Sequence, residues 1–295
     1  MKLTEFIRGT VERLGALYPE REARSIVLML TEAMLGTKNY THIVEPGYEI
    51  PASKEADLAA AVERLAGGEP IQYVLGKAEF YGRTFNVSPA VLIPRPETEL
   101  LCREAIKIAE RMVRMRSAYG KTTLRILDLC TGSGCIAWTM ALEIPGAEVV
   151  GVDISNEALK VACSQNFPEM EKNGSSIRFA EGDVLNPALF PELGKFDLVL
   201  SNPPYIKESE KAKMRPNVLE HEPAIALFVP DEDPQLFYRA VGYLAKRLLN
   251  PEGFGLVEIN ETEGPQTQAA IKAEGFSRTT LVKDINNRNR FVEFA

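Results

Sequence analysis

The chain has 295 residues, enough for two domains at the usual size of about 100 to 200 residues each. Hydrophobic residues make up 45% and charged residues 25%, which excludes a disordered chain, and no stretch approaches the roughly 20 uninterrupted apolar residues of a membrane helix. The formal net charge of −7 repels a phosphate backbone unless cations gather locally, so nucleic acid is not the default partner. The four cysteines, Cys102, Cys130, Cys135 and Cys163, form no C-x-x-C pair, and the two histidines are His42 and His221. That composition disfavours a metal centre, a disulfide framework and imidazole-driven nucleophile chemistry, and leaves reduced, buried thiols as the expectation. The opening Met1-Lys2-Leu3-Thr4-Glu5 lacks a basic flank followed by an apolar stretch, and the expected location is the cytoplasm.

Residues 3 to about 67 carry apolar side chains three and four apart: Leu3, Phe6, Ile7 and Leu14, then Ala23, Ile26, Val27 and Leu30, then Leu58, Ala61, Val62 and Leu65. This is the period of amphipathic helices. Gly67-Gly68 and Pro70 break the block. The runs Ile71 to Gly76, Phe80 to Gly82 and Phe85 to Val87 are aromatic and β-branched with turn signals between them, and predict a short β-hairpin connector. Pro94 and Pro96 stiffen the next segment, and Thr98 with Glu99 opens a long helix toward Arg116. The expected division is a helical N-terminal domain over 1–70, a connector over 71–96 and a larger domain over 97–295.

From Arg125 short apolar runs alternate with helical stretches. Strands are expected at Ile126-Leu127, Glu148 to Val152, Ile177 to Ala180 and Phe196 to Leu200, with helices from Cys135 to Glu143 and Asn156 to Phe167. Such alternation implies parallel βαβ units with helices on both faces. Gly255 to Ile259 reads as one more parallel strand, and a helix follows from about Glu263 to Ala273. Thr279 to Val282 and Phe291 to Phe294 read as a hairpin-like pair across Asn286-Asn287. The predicted fold class is α/β, a mostly parallel seven-stranded sheet with an antiparallel last strand. The basic run Arg111, Arg114, Arg116 and Lys121 reads as a solvated helix end and loop.

Residues Ile126 to Ala137 place a strand, a small-residue turn and a helix start in succession. Gly132-x-Gly134-x-x-Ala137 fits a nucleotide-binding fingerprint, and Asp153 follows about 20 residues on, at the end of the next strand. A Cβ on these glycines would hinder a ligand's approach to the backbone, and Asp153 can accept both ribose hydroxyls. Nicotinamide dinucleotides and S-adenosylmethionine both use such a site. Asp128, a carboxylate before the glycines, repels a pyrophosphate but suits an ammonium group. Asp183, in Phe179-Ala180-Glu181-Gly182-Asp183, can accept from an adenine amine. Together they favour S-adenosylmethionine, with a dehydrogenase-like or non-catalytic nucleotide-binding domain as the alternative.

After the fourth strand comes Ser201-Asn202-Pro203-Pro204-Tyr205, at the sheet edge where open α/β sheets bind ligands. Two prolines stiffen this turn and remove two amide donors. The Asn202 side-chain oxygen and the Pro203 carbonyl are then a pair of acceptors for one planar NH₂ group, with Tyr205 as a flat face. An amide nitrogen is a poor nucleophile, and acceptors on its hydrogens aim its lone pair at a sulfonium methyl without any strong base. A flipped adenine presents the same NH₂, so a nucleic acid N-methyltransferase is the competing reading.

With these motifs the chain resembles class I S-adenosylmethionine-dependent amino-methyltransferases of Rossmann-like fold. More narrowly, it resembles the peptide-chain release factor glutamine methyltransferases of the HemK or PrmC family. The narrower likeness rests on Gly68-Glu69-Pro70-Ile71-Gln72-Tyr73-Val74-Leu75-Gly76, Glu79-Phe80-Tyr81-Gly82 and Val91-Leu92-Ile93-Pro94-Arg95-Pro96-Glu97-Thr98-Glu99. Ribosomal-protein glutamine methyltransferases differ where Arg95 to Thr98 stands. The resemblance implies methyl transfer from S-adenosylmethionine to the glutamine amide of the Gly-Gly-Gln loop in class 1 release factors. It implies no nucleic acid or membrane partner and a monomeric enzyme. The implied donor site is Cys130, Thr131, Gly132, Ser133 and Gly134 with Asp128, Asp153, Asp183, Val184 and Asn202. The implied glutamine site is Asn202, Pro203, Pro204 and Tyr205, of which Asn202, Pro203 and Tyr205 are catalytic. Three positions depart from the family pattern: Cys130 stands where many relatives have glycine, Val184 where some have an aromatic, and Asn286-Asn287 lacks the usual glycine.

Overall fold

The apolar periodicity of the first quarter folds as helices α1 (Leu3–Leu14), α2 (Glu20–Leu35), α3 (Thr41–Val44) and α4 (Ala52–Ala66). In this computed structural model, which describes residues 1–117, 123–190 and 192–295, their inward stripes meet in one core. Leu3, Leu14, Ala23, Val27, Leu30, Leu58 and Leu65 are buried there. Ile71–Leu75 is a further helical turn, α5, not the strand that its β-branched composition predicts. Pro70 presets its first turn and Gly76, at φ 66°, stops it in the left-handed region, while Ile71 joins the helical core. The hairpin follows as β1 (Lys77–Phe80) and β2 (Arg83–Asn86).

Helix α6 (Pro96–Ser117) leads to β3 (Arg125–Leu129), α7 (Cys135–Glu143), β4 (Glu148–Asp153), α8 (Asn156–Cys163), α9 (Met170–Asn173), β5 (Ser176–Glu181) and β6 (Phe196–Ser201). Lys121 of the basic run lies outside the described residues. Two short strands, β7 (Ile206–Lys207) and β8 (Phe228–Val229), pair with each other and enclose α10 (Pro216–Leu219) in sequence. Then come α11 (Leu236–Leu248), β9 (Leu249–Glu258), α12 (Gly264–Ala273), β10 (Thr279–Lys283) and β11 (Asn289–Phe294). The seven-stranded sheet runs β10-β11-β9-β6-β3-β4-β5. Pairings among β9, β6, β3, β4 and β5 are parallel, whereas β11 is antiparallel to both β9 and β10, as the pattern predicts. The turn before β11 places Asn287 at φ 62°, a left-handed conformation that asparagine tolerates better than most residues.

Alternation along the strands sorts the apolar side chains to two faces. Ile126, Leu198, Leu200 and Leu256 join the layer of α6 and α7, and Leu127, Val199 and Val257 join the layer of α11 and α12. The chain divides into two units, Met1–Lys77 with Arg215–His221, and Ala78–Met214 with Glu222–Ala295. No described helix is long and apolar enough to cross a membrane.

Candidate active site

The chain order of the sheet reverses between β3 and β6, so the loops leaving their carboxyl ends diverge and open a crevice. A cavity of about 210 Å³ lies there. Its wall takes Cys130, Thr131, Gly132 and Ser133 from the loop after β3, Asp153 and Ile154 after β4, Asp183, Val184 and Leu185 after β5, and Asn202 and Pro204 after β6. Four loops that are distant in sequence thus meet at one edge of the sheet. Thr98, Ile225 and Phe237 also line it, and these, with Ile154 and Leu185, the sequence reading missed. Ile154 and Leu185 are 47% and 42% exposed, large apolar side chains left open beside the two carboxylates. That is the signature of a flat, partly apolar ligand face.

The loop after β3 turns through three residues of positive φ: Cys130 at 59°, Gly132 at 55° and Gly134 at 78°. Its two glycines serve different ends. A Cβ on Gly132 would meet nothing within 4 Å, so that position keeps open the space a ligand needs. A Cβ on Gly134 would come within 3.0 Å of Trp138 and 3.1 Å of Ala162 and Phe179. The second glycine therefore admits close packing of α7 and does not line the cavity, a correction to its expected role in ligand approach. Cys130, at φ 59°, holds a left-handed conformation that is costly for a residue other than glycine.

Asp128 also differs from its expected role. It is wholly buried on the α7 face of β3, and its Oδ2 accepts from the Thr131 hydroxyl at 2.5 Å and the Ala137 N–H at 3.1 Å. It braces the loop from inside and is absent from the cavity wall. Burial pushes its carboxyl up to about 7 against those two hydrogen bonds, and Asp153 adds to the rise. Asp153 does face the cavity. Its oxygens accept from the Gly132 N–H at 2.8 Å and the Ser155 N–H at 2.9 Å, and each keeps a further lone pair. Burial raises its pKa as well. Asp183 accepts from the Leu185 N–H at 2.8 Å, while Val184 is buried at the wall.

In the turn after β6, Asn202 and Pro204 reach the cavity, whereas Pro203 and Tyr205 do not line it. The Asn202 Nδ2 donates to Thr98 Oγ1 at 3.2 Å, and its Oδ1 is buried without a hydrogen-bond partner. Asp128 Oδ1 is likewise buried without a partner, but Asn202 lies at the cavity wall, where a ligand's donor can reach it. The Tyr205 hydroxyl donates to Glu258 Oε1 at 3.3 Å. Burial raises its pKa, with Glu258 adding to the effect, so it stays protonated and is a donor. Burial also pushes Glu258 up to about 7.

The thiols take no part as thiolates. Burial raises those of Cys102, Cys130 and Cys135, the last to about 12. The expectation of buried thiols fails at Cys163, which is exposed, and in part at Cys130.

A glycine turn at the reversal point, a carboxylate on the neighbouring strand and an unpartnered acceptor in an Asn-Pro-Pro-Tyr turn define a methyltransferase of Rossmann-like fold. Residues 121–292 match the family described as a methyltransferase domain, and residues 5–76 match the PrmC N-terminal domain. The chain belongs to the family of release factor glutamine methyltransferases. It is 36% identical to the release factor glutamine methyltransferase of Bacteroides thetaiotaomicron, over 99% of this chain and 98% of that one. It is likewise 36% identical to that of Bacillus subtilis, over 92% and 90%. Among solved structures the hMettl16 catalytic domain shares the fold, with a TM-score of 0.50 at 14% identity over 84% of this chain and 86% of that one.

Proposed function

We propose that this protein transfers the methyl group of S-adenosylmethionine to the side-chain amide nitrogen of the glutamine in the Gly-Gly-Gln loop of class 1 release factors. The observation that carries the reading is the buried, unpartnered Asn202 Oδ1 at the cavity wall, in a chain whose relatives at 36% identity are named for that activity. The residues present suit the donor. Asp153 takes the ribose hydroxyls, Asp183 the adenine amine, and Ile154, Val184 and Leu185 the faces of the base, while Thr131 to Ser133 lie along the methionine end. Asp128 and Gly134 act on the donor through the shape of the loop.

S-adenosylmethionine supplies an electrophilic methyl on its sulfonium. The protein's part is to make an amide nitrogen reactive enough to take it. Asn202 Oδ1 accepts one amide hydrogen and the Pro203 carbonyl is the proposed second acceptor, which turns the lone pair out of conjugation and toward the methyl. Pro204 and Tyr205 hold the turn. The proton leaves after the bond forms, from a nitrogen made acidic by its positive charge, so no strong base is needed beforehand.

The helical residues 1–70 are proposed as the docking domain for the protein substrate, 71–96 as connector and 97–295 as catalytic domain. The test is methylation of a purified release factor against the same factor with its Gly-Gly-Gln glutamine replaced. Transfer to the first alone is expected, and equal labelling of both would overturn the substrate assignment. A chain beginning at Gly76 should bind donor yet methylate the intact factor poorly; full activity in that fragment would remove the docking role.

A further inference from the structure

The oxygen and nitrogen ends of a carboxamide have nearly the same shape, so a rigid turn can place Asn202 without choosing which end faces the cavity. Only the oxygen end would accept a substrate N–H; the other would oppose donor to donor. We propose that Thr98, anchored on Glu258, makes this choice and is a positioning residue for methyl transfer. The inference rests on the reading of Asn202 as the substrate's acceptor.

The argument is one of proton count. Thr98 has a single hydroxyl proton, and above about pH 7, where Glu258 is ionised and can only accept, that proton is given to Glu258 Oε2 at 2.8 Å. Its oxygen therefore offers lone pairs to Asn202, and only the Nδ2 end of the amide, 3.2 Å away, is satisfied there. A flipped Asn202 would set Oδ1 against those lone pairs. Glu258 is fixed in turn, because its other oxygen accepts from the Tyr205 hydroxyl at 3.3 Å. Thr98 and Glu258 are each 2% exposed, so water does not compete for these bonds. The fold supplies the pairing. Alternation along β9 sends Leu256 and Glu258 to the α6 face, and the first turn of α6 carries Thr98.

Single-turnover transfer to a release factor and S-adenosylmethionine affinity by calorimetry would be measured for Thr98→Val, Thr98→Ser, Asn202→Ala and the Thr98→Val/Asn202→Ala double variant. Thr98→Val keeps the shape and removes the hydroxyl; Thr98→Ser keeps the hydroxyl and leaves a methyl-sized gap. The expected result is a rate lower by about tenfold or more in Thr98→Val with donor affinity within about threefold, and most of that loss restored in Thr98→Ser. In the Asn202→Ala background Thr98→Val should add no further loss, since no amide remains to orient. Should valine at this position prevent folding, Thr98→Ala replaces it in the same comparisons. A wild-type rate in Thr98→Val beside a slow Asn202→Ala would overturn this proposal alone, as would Thr98→Ser being as slow as Thr98→Val, the mark of packing. A wild-type rate in Asn202→Ala would instead remove the acceptor reading itself.

Discussion

Asp153 holds the loop and faces the cavity with the same carboxylate. Its hydrogen bonds to the Gly132 and Ser155 amides fix its direction, and lone pairs remain for two hydroxyls. Asp153→Ala should weaken S-adenosylmethionine binding by about ten- to a hundredfold, the worth of one or two charge-assisted bonds. Unchanged affinity in a calorimetric titration would refute the ribose assignment. The thiols offer a second test at this scale. Cys163 is exposed, while burial raises the pKa of Cys102, Cys130 and Cys135. One equivalent of alkylating reagent should therefore react quickly with the native protein near neutral pH, and mass spectrometry should place it on Cys163. Rapid labelling of Cys102 or Cys135 would contradict their buried environment.

At the scale of the element, the turn from β3 to α7 separates two glycines that the motif treats alike. Gly134→Ala forces a Cβ against Trp138, Ala162 and Phe179 at positive φ, and should destabilise the fold by about 2 to 4 kcal/mol. Gly132→Ala meets open space and should lose only about 1 to 2 kcal/mol of stability for its backbone conformation, but it should bind donor poorly. Chemical denaturation and calorimetry on the two variants would check the contrast; equal stability losses would refute it. Other elements show where pattern reading stops. Ile71–Leu75 has strand composition, yet a proline start, a glycine stop and a core to pack on make it helical. Helix α11 escaped the sequence reading although Tyr238, Val241, Leu244 and Ala245 carry a helical period and Lys246 and Arg247 end it.

For the whole molecule, two wholly buried carboxyls set a pH dependence. Asp128 and Glu258 both have folded pKa values of about 7, above the 3.8 and 4.5 of the free groups. Their neutral forms are favoured by the fold, so this stabilisation is complete below about pH 4 and is lost as pH rises through 7. Around Glu258 the hydroxyls of Thr98 and Tyr205 and the charge of Arg290 favour ionisation, whereas burial and Glu97 oppose it. Wild-type protein should lose about 2 kcal/mol more stability between pH 5 and pH 8 than Glu258→Gln does. Urea unfolding at the two pH values would measure this, and parallel losses would show that Glu258 is ionised throughout.

The local parts of this protein were legible because they obey local rules. Periods of about 3.6 and 2 marked the helices and strands, strand–helix alternation implied the parallel sheet, and Gly132, Asp153, Asp183 and Asn202 lay in motifs a few residues long. The reversal point then follows from strand order, which is why these four met as expected. What pattern could not reach were pairings across the chain. Thr98 and Glu258 lie 160 residues apart, and nothing near either one signals the other. Whether Asp128 looks outward to a ligand or inward to Thr131 and Ala137 depends on which face of β3 it occupies and what packs there. The composition of a strand tip is the same in both cases. Donors and acceptors are partnered by proximity in space, and burial decides which remain unpaired, so the unpartnered side-chain acceptor in the turn after β6, Asn202 Oδ1, was decided only when α6, β6 and β9 came together.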